Sequence, residues 1–181
     1  DAHITLQCNL KQDRLSNYMM ILDRLHPNIP EISDSIFTTD DMEVAFKIMK
    51  QEYGFGPFIS YEVVTDLSYS PEIIFDDNVW ANPGPGCKVG INFIFPTVSK
   101  NQDYLDIILL LRDNQEELFR YFNLDFDSIK PNSEWLSVRS YEHSLCEAGK
   151  YFKQRLGVGK ARSKFVKIFI GYFYVVLVSN Y

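Results

Sequence analysis

Two adjacent aspartates, Asp76 and Asp77, follow a short apolar run and precede a Gly-Pro-Gly turn. Because like charges side by side raise the pKa of one carboxyl group, such a pair supplies candidate general bases or stabilisers of positive charge. His143 and Glu147 lie four residues apart, on one stripe of a helix, as an oriented acid/base pair would. These four residues are the predicted catalytic set. Their structural alternatives are a turn cap, a solvated carboxylate and a hydrogen-bonded core histidine.

A second group of residues is suited to binding phosphate. Residues 54–57, Gly-Phe-Gly-Pro, join two helical patterns, and the amides that follow would be unpaired at a helix N-terminus, where anions bind. Lys150 and Arg139 would neutralise a phosphate or a departing pyrophosphate, or else pair with Glu147 or Glu142. The residues predicted to bind phosphate or DNA are Gly54, Gly56, Phe58, Gly84, Gly86, Lys88, Arg139, Lys150 and Arg162.

Aromatic side chains and potential metal ligands are the remaining candidate site residues. Tyr61 and Trp80 are predicted to stack on a nucleobase, although aromatic residues here are also typical of a core. The three cysteines form no Cys-x-x-Cys pair, which argues against a zinc site and a disulfide framework and favours a reducing compartment. Glu142 and Glu147 have no spacing that demands a metal ion. The sequence therefore predicts no metal and no cofactor.

The charge distribution favours a narrow contact with nucleic acid. The formal net charge is −6, from 18 Lys/Arg and 24 Asp/Glu. Residues 139–167 hold eight Lys/Arg and two Glu, a balance of +6, which leaves residues 1–138 with ten basic and 22 acidic residues, a balance of −12. A local basic segment can meet phosphate even in an acidic chain. The alternative is a solvated helix face followed by a basic loop.

The phosphate-binding glycines require a helical hairpin to hold them. Thr38 or Thr39 is predicted to cap a first helix, which must stop at Gly54, where glycine can take positive φ. The apolar face of this helix is predicted at Val44, Ile48 and Met49. A second helix is predicted over residues 57–67, since proline is favoured in a first turn, and the small Ser60 suits a close crossing. DNA-backbone binders use this arrangement, but an ordinary helical hairpin has the same pattern.

The rest of the chain also has helical periodicity. Further helices are predicted over residues 10–26, 104–122 and 135–152, with a short helical turn over residues 32–37. Pro27 and Pro30 are expected to end the first helix and begin a loop. The predicted fold class is all-α, with one helical domain over residues 1–166 and a short extended apolar tail over residues 167–181.

The tail and the two chain ends bear on location. An apolar run this short cannot span a membrane, which takes ~20 residues, so no stable membrane insertion is predicted. We expect residues 167–181 to form a strand or helix packed on the body; a membrane-surface or aggregation-prone segment is the alternative. No signal-peptide pattern opens the chain, so an intracellular location is expected. Because the chain begins with Asp1, we expect that its native N-terminus is not included.

Four motifs together resemble one family. They are the Gly-Phe-Gly-Pro-Phe-x-x-Tyr hairpin of residues 54–61, the acidic run of residues 73–78, the Asn-Pro-Gly-Pro-Gly segment of residues 82–91 and the Glu-His-x-Leu-Cys-Glu helix of residues 141–151. Their order and types resemble the helical domain of phage 5-hydroxymethyldeoxyuridine DNA kinases and the related α-glutamyl/putrescinyl thymine pyrophosphorylases. The resemblance covers roughly residues 15–164. It departs from the family at Cys87, where a small residue is usual, and at Ala148-Gly149, where an aromatic is common.

The resemblance implies a fold and a reaction. It implies an all-helical domain related to helix-hairpin-helix DNA glycosylases, without the P-loop kinase part. It also implies a substrate, thymine in DNA that carries a pyrophosphorylated hydroxymethyl group, turned out of the base stack. A small amine or amino acid would displace pyrophosphate, with Asp76 or Asp77 taking the proton. The implied partners are modified DNA, the amine co-substrate and a kinase that acts on hydroxymethyluracil DNA.

Two other functions fit the same residues. A helix-hairpin-helix glycosylase would use the hairpin and an aspartate to cut the glycosidic bond. A non-catalytic module would recognise the modified base and deliver a partner enzyme. The sequence predicts an enzyme of the transferase type first and keeps these two as alternatives.

Overall fold

The computed structural model describes residues 13–98, 101–125, 135–158, 163–170 and 173–180 of the 181, with residues 14, 101, 102 and the two strands described by their backbone alone. Within these residues the helices are α1 (Arg14–Leu25), α2 (Ile29–Phe37), α3 (Met42–Met49), α4 (Pro57–Leu67), α5 (Pro85–Ile94), α6 (Asn101–Asp113), α7 (Gln115–Tyr121) and α8 (Val138–Arg155). A 3-10 turn, His26–Asn28, joins α1 to α2. The predicted helical domain is confirmed.

The described C-terminal residues form an antiparallel hairpin. Strand β1 (Ser163–Ile170) pairs with β2 (Phe173–Asn180), with Ser163 opposite Asn180 and Ile170 opposite Phe173. The extended tail that the β-branched residues predict is therefore a two-stranded ribbon. Its first strand begins before residue 167, so the ribbon crosses the domain boundary that we placed after residue 166.

Helix α3 is capped by Asp41, two residues after Thr39 and three residues after Thr38. The Asp41 carboxylate accepts hydrogen bonds from the Glu43 and Val44 amides at 2.8 and 3.3 Å, and the Thr39 hydroxyl accepts one from the Asp41 amide. The prediction of Thr38 or Thr39 as the cap was wrong, because a carboxylate satisfies two orphan amides at once. The buried face was also misplaced in part. It comprises Met42, Ala45, Phe46 and Met49.

The turn between α3 and α4 uses its two glycines differently. Gly54 has φ +86°, and a Cβ atom there would lie 2.7 Å from Ile21 Cδ1. Glycine is therefore required at residue 54 both by its conformation and by its contact with α1. Gly56 has φ −77° and caps α4 in an extended conformation, so Gly54 alone of the two takes a positive φ. Ser60, predicted at a close crossing, is fully buried.

Helices α5 and α8 cross so closely that glycines line the contact. A Cβ atom at Gly149 would lie 2.7 Å from the Gly86 carbonyl oxygen and 2.9 Å from the Gly90 amide nitrogen. A Cβ at Gly90 would overlap the Leu145 carbonyl, and one at Gly86 would overlap Cys146 Sγ. Backbone packs on backbone here, which side chains larger than hydrogen would prevent. Thus two motifs that lie some 55 residues apart in the sequence form one structural unit.

One core supports both helix pairs. Tyr61, Val64, Ile91, Ile108 and Val138 are fully or almost fully buried and join α4, α5, α6 and α8 in a single cluster. Burial of such side chains contributes roughly 1.5–3 kcal/mol each to stability. The segment between α4 and α5 packs on this cluster through Ala81, which is also buried.

Two helix predictions need correction. The helix predicted over residues 104–122 is two helices, because Asn114 leaves helical geometry and its side-chain amide Nδ2 donates to the Leu110 carbonyl. After this break, Gln115 turns inward and binds both backbone groups of Leu136. Pro30 lies in the first turn of α2, which begins at Ile29, and not in a loop, consistent with the preference of proline for a first turn. Helix α8 starts at Val138, where the Ser137 hydroxyl caps it.

Candidate functional site around Tyr61

Tyr61 on α4 lies between the predicted carboxylate loop and the Glu-His helix. Its side chain is 2 % exposed, and its hydroxyl has no hydrogen-bond partner among the described residues. Burial, followed by the charge of Glu142, raises the pKa of Tyr61 well above its usual value. Its ring lies edge-on to those of Trp80 and His143, with centroids 5.8 and 6.2 Å away. The neutral Tyr61 phenol is thus the centre around which charged groups from α4 and α8 gather.

One side of this centre is built from carboxylates and an imidazole. His143 Nε2 lies 3.7 Å from Glu142 Oε2 and 4.0 Å from Glu62 Oε1. The Nε2 atom is buried without a hydrogen-bond partner among the described residues, although 43 % of the His143 side chain is exposed. Helices α4 and α8 supply these three groups. The arrangement can hold or move a proton, since two acids flank one imidazole.

Glu142 has the most perturbed of the carboxyl groups at this site. It is 5 % exposed, and its Oε1 accepts a hydrogen bond of 3.0 Å from the Gly84 amide, at the start of α5. Burial raises the pKa of Glu142 to about 7, against the lowering effect of the Gly84 hydrogen bond, and the nearby Glu62 raises it further. A carboxyl group that titrates near neutrality suits general acid/base work.

The other side of the centre is an arginine bridge to the carboxylate loop. Arg139 Nη2 contacts Asp77 Oδ2 at 2.9 Å, its Nη1 donates to Ser68 Oγ at 2.6 Å, and its amide donates to the Asp77 carbonyl at 3.2 Å. The guanidinium also lies 5.0 Å from the centre of the Tyr69 ring. Asp76 is exposed and accepts a hydrogen bond from the Asn78 amide at 2.8 Å. Asp77 therefore anchors the loop, whereas Asp76 holds a turn and faces solvent.

The predicted acid/base pair on α8 is divided between two environments. His143 lies near Glu62 and Glu142, as described above. Glu147 is 69 % exposed and pairs with Lys150, the intrahelical pair that we considered as an alternative. The structure thus brings His143 to the site and places Glu147 on the outer face of the helix.

The predicted phosphate-binding residues also lie in different environments. Gly56 and Phe58 are exposed at the start of α4, beside Gly54. Gly84 donates its amide to Glu142, and Gly86 lies against Cys146 in the helix crossing. Lys88 Nζ lies 5.5 Å from the centre of the Tyr104 ring. Arg162 lies outside the described residues.

The predicted base-stacking residues differ in access. Tyr61 is buried in the core, whereas Trp80 is half-buried and packs on Phe46 with ring centroids 5.1 Å apart. Two cavities in the described part of the chain lie elsewhere. One is lined mainly by apolar side chains of α1 to α4, including Ile29 and Ile36, and by Ile73 after α4; the other is lined mainly by side chains of α6 and α7. Neither is lined by the predicted catalytic residues.

Glu62 and Glu142 were missed as site residues from the sequence. Glu142 was considered as a partner for a lysine or arginine and as a metal ligand, and Glu62 only as part of a helical pattern. The signal for Glu142 was its position on one stripe of α8 with Cys146, which faces a neighbouring helix. Nothing local marks Glu62, because its role depends on the crossing of α4 and α8.

The part of the chain that the structure describes contains neither a membrane-spanning helix nor a cluster of metal ligands. None of the described helices has both the length and the apolar character that crossing a bilayer requires. Within the same residues, His, Cys, Asp and Glu side chains do not assemble in groups of three that could hold a metal ion.

Comparison with known proteins identifies the family. The family model for the helical domain of 5-hmdU DNA kinase matches residues 1–160. A curated relative, the 5-hmdU DNA kinase of Bacillus phage SP10, is 26 % identical over 147 residues, which cover 77 % of this chain and 23 % of the relative. The chain thus spans less than a quarter of the length of that relative. No solved structure matches the chain. With a match over residues 1–160, this chain belongs to the family of 5-hmdU DNA kinase helical domains.

Proposed function

We propose that this chain binds DNA that carries 5-hydroxymethyluracil or a phosphorylated form of that base, and that it modifies the base. The observation that carries the proposal is the family match over residues 1–160, together with a relative named as a 5-hmdU DNA kinase. That relative's name supports the choice of base. Because this chain corresponds to 23 % of the relative, we assign to it a step in the modification of that base and not the kinase reaction.

The start of α4 is the proposed contact with the DNA backbone. Gly56 and Phe58 are exposed there, and no described side chain caps this helix end. Two amides at a helix N-terminus, with the positive end of the helix dipole, favour a phosphate. Lys153 and Arg155, exposed near the end of α8, add positive charge to the same chain. Such contacts fix position on DNA without reading its sequence.

The proposed reaction replaces pyrophosphate by an amine. The nitrogen lone pair of the neutral amine attacks the methylene carbon attached to C5 of the uracil. The bond from that carbon to the pyrophosphate oxygen breaks, and its electron pair leaves with pyrophosphate. The new C–N bond leaves the nitrogen with one proton too many, which passes to a carboxylate. The reaction needs no redox partner, and its charge balance requires cations near the departing pyrophosphate.

Asp76 is the proposed proton acceptor of the carboxylate loop. Its carboxylate faces solvent and accepts one hydrogen bond, from Asn78, whereas Asp77 is held by Arg139. Asp77 and Arg139 would then position the loop. Trp80, half-buried next to this loop, is the proposed stacking partner for the extruded base.

The first test uses three duplexes that differ at one base: thymine, hydroxymethyluracil and pyrophosphorylated hydroxymethyluracil. Electrophoretic binding is expected to favour the last two over thymine. Incubation of each duplex with a primary amine, followed by mass spectrometry of the nucleosides, then separates the functions. An aminated thymine supports the transferase, an abasic site supports the glycosylase, and binding without a change in mass supports a recognition module. Equal binding of all three duplexes with no change in mass contradicts the proposal.

The second test concerns Asp76. Asp76→Asn keeps the size of the side chain and the hydrogen bond from Asn78 but removes the base, so product formation is expected to fall at least about 100-fold. DNA binding should be unchanged. Full activity in Asp76→Asn would refute this assignment.

A further inference from the structure

We propose that the groove on α6 and α7 binds the two-stranded ribbon of a second copy of this chain. The two copies exchange ribbons about a two-fold axis, so that each groove holds the ribbon of the other copy. The proposal concerns surfaces outside the candidate site and does not depend on the proposed function. It rests on the apolar character of both surfaces and on their opposite charges.

The groove is apolar and open to solvent. It has a volume of about 440 Å³, and its lining includes Phe95, Leu110, Leu111, Glu117, Leu118 and Tyr121. Leu110 is 56 % exposed and Tyr121 is 80 % exposed. Phe122 and Leu124, which follow α7, are also exposed. Large apolar side chains that gather on one exposed surface are typical of a site where another protein binds.

The ribbon has one face made of apolar residues. Three pairs of its register contain apolar residues alone: Val166 with Leu177, Ile168 with Val175, and Ile170 with Phe173. Because alternate positions of a strand lie on the same face, these three pairs share one face of the ribbon. The opposite face includes Lys167, which pairs with Val176. The two faces therefore differ, and the apolar face is the one that requires a partner.

Both surfaces lack a partner within one copy. The sheet consists of β1 and β2, and among the described elements neither strand packs against a helix. A two-stranded ribbon that nothing covers is at best marginally stable in water. The ribbon of the same copy does not pack on α6 or α7 in this structure, so the groove is open to the ribbon of another copy.

Opposite charges favour the ribbon as the occupant of the groove. Helices α6 and α7 contain five acidic and two basic residues, a balance of −3. Strands β1 and β2 contain two lysines and no acidic residue, a balance of +2. Complementary charges of this kind steer association and select the partner.

One acidic residue is available for a basic partner. Glu117 lies in the groove lining and is exposed, and it has no ion pair among the described residues. The two arginines of these helices are already paired, Arg112 with Asp113 and Arg120 with Glu116. On the ribbon, Lys164 shares the apolar face at its open end, opposite Ser179. A lysine at the end of an apolar face matches a carboxylate in the lining of an apolar groove, and this match sets the direction of the ribbon.

Analytical ultracentrifugation of the full chain without DNA tests the proposal. The wild type is expected to form a discrete dimer that dissociates on dilution. Leu110→Asp places a charge in the apolar groove and should weaken the dimer at least about tenfold. Leu15→Asp changes another exposed apolar residue, 69 % exposed on α1, and is the matched control. It should form the dimer as the wild type does.

Charge reversal tests the direction of the ribbon. Glu117→Lys and Lys164→Glu should each weaken the dimer by about three- to tenfold, because like charges then meet. The double variant should associate as the wild type does, since the pair is formed again with exchanged signs. If the substitutions acted through the fold of each copy alone, their effects would add in the double variant.

Cross-linking identifies the copy that supplies the ribbon. Unlabelled and isotope-labelled protein are mixed while dilute, concentrated together and treated with a carbodiimide, which joins a carboxylate to an amine in contact with it. Peptides that join Glu117 to Lys164 should include pairs with one labelled and one unlabelled member. Pairs that are always labelled alike would place each ribbon on its own copy and would overturn the proposal.

Other outcomes also decide the proposal. A monomeric wild type, a dimer that is unchanged in Leu110→Asp, or a double variant without recovery would each overturn it. An open-ended aggregate in place of a dimer would indicate that the strands pair edge to edge, and would overturn it as well. Circular dichroism checks the fold of each variant. If Leu110→Asp does not fold, the two charge reversals and their double variant give the decision.

Discussion

Helices α4 and α5 begin with the same two residues and differ in what meets them. Both have a Gly-Pro start, with the glycine as cap at φ −77°, ψ 172° in α4 and φ −71°, ψ 170° in α5. The start of α4, at Gly56, is exposed, and a Cβ there would meet no atom within 4 Å. The start of α5, at Gly84, is occupied by the Glu142 carboxylate from α8.

The difference shows that the local sequence determines where a helix begins. A residue distant in the sequence determines whether the amides at that helix start are free to bind an anion. An anion already lies at the α5 start, which leaves little reason for DNA phosphate to bind there. The α4 start has no internal anion among the described residues and remains open to one from outside. This difference supports the proposal that DNA contacts Gly56 and Phe58, whereas Gly84 and Gly86 have a structural role in the contact of α5 with α8.

The largest expected effect comes from breaking the packing of α5 on α8. Gly90→Ala would place a methyl group against the Leu145 carbonyl, a backbone atom that cannot give way. We expect a loss of more than about 3 kcal/mol in the free energy of unfolding, or failure to fold. Urea denaturation followed by circular dichroism measures it. Gly56→Ala at the open helix start is the control and should cost less than about 1 kcal/mol. Equal effects of the two substitutions would contradict the proposed difference between the two regions.

The second effect concerns the internal anion itself. Because the folded state raises the pKa of Glu142 to about 7, it binds more protons than the unfolded state between about pH 4.5 and 7. Stability is therefore lost as pH rises through that window, by up to roughly 3 kcal/mol. Glu142→Gln should lack this slope and should be more stable than the wild type at pH 8. Thermal denaturation at several pH values measures it. If the wild type became more stable than Glu142→Gln as the pH rises from 5 to 8, the result would contradict a buried Glu142 carboxyl group with a raised pKa.

A smaller effect is expected where the loop between the two helix starts is anchored. Asp77→Asn weakens the ion pair between Asp77, whose side chain is 29 % exposed, and Arg139, whose side chain is 18 % exposed. The substitution should lower the free energy of unfolding by about 1–2 kcal/mol. Asp76→Asn, at the exposed neighbour, should cost less than about 0.5 kcal/mol. Chemical denaturation of both variants gives the comparison. If the two substitutions cost the same, Arg139 does not anchor the loop.

The sequence was sufficient for features set by local rules. The Gly-Pro start of α4, the helical hairpin and the α8 helix followed from periodicity and from the preference of proline for a first turn. Helix α5 was missed, because the Gly-Pro-Gly segment that begins it was interpreted as a turn within a loop. Local rules also failed where two local options compete. Asp41 displaced the threonines as cap, and Asn114 divided one apolar helix into two.

The candidate site was harder to predict from the sequence because its contacts are long-range. The meeting of Glu62 with His143 joins residues 81 positions apart, and that of Gly84 with Glu142 joins residues 58 apart. No periodicity encodes either distance. The resemblance had already paired the Gly-Pro-Gly segment with the Glu-His helix, but only the fold shows that their glycines exist to let the two backbones touch.

The most direct test of the account converts the α4 start into a copy of the α5 start. Gly56→Asp places a carboxylate on the open amides, at a φ that aspartate tolerates and with no neighbour to clash, and should stabilise the fold slightly, by ~0.3–1 kcal/mol. Gly56→Asn supplies the same cap without charge. Fluorescence anisotropy with hydroxymethyluracil duplex DNA should show Gly56→Asp binding at least about tenfold more weakly than the wild type, and Gly56→Asn within about twofold of it. Wild-type affinity in Gly56→Asp, with the fold intact, would contradict the claim that this helix start binds DNA phosphate.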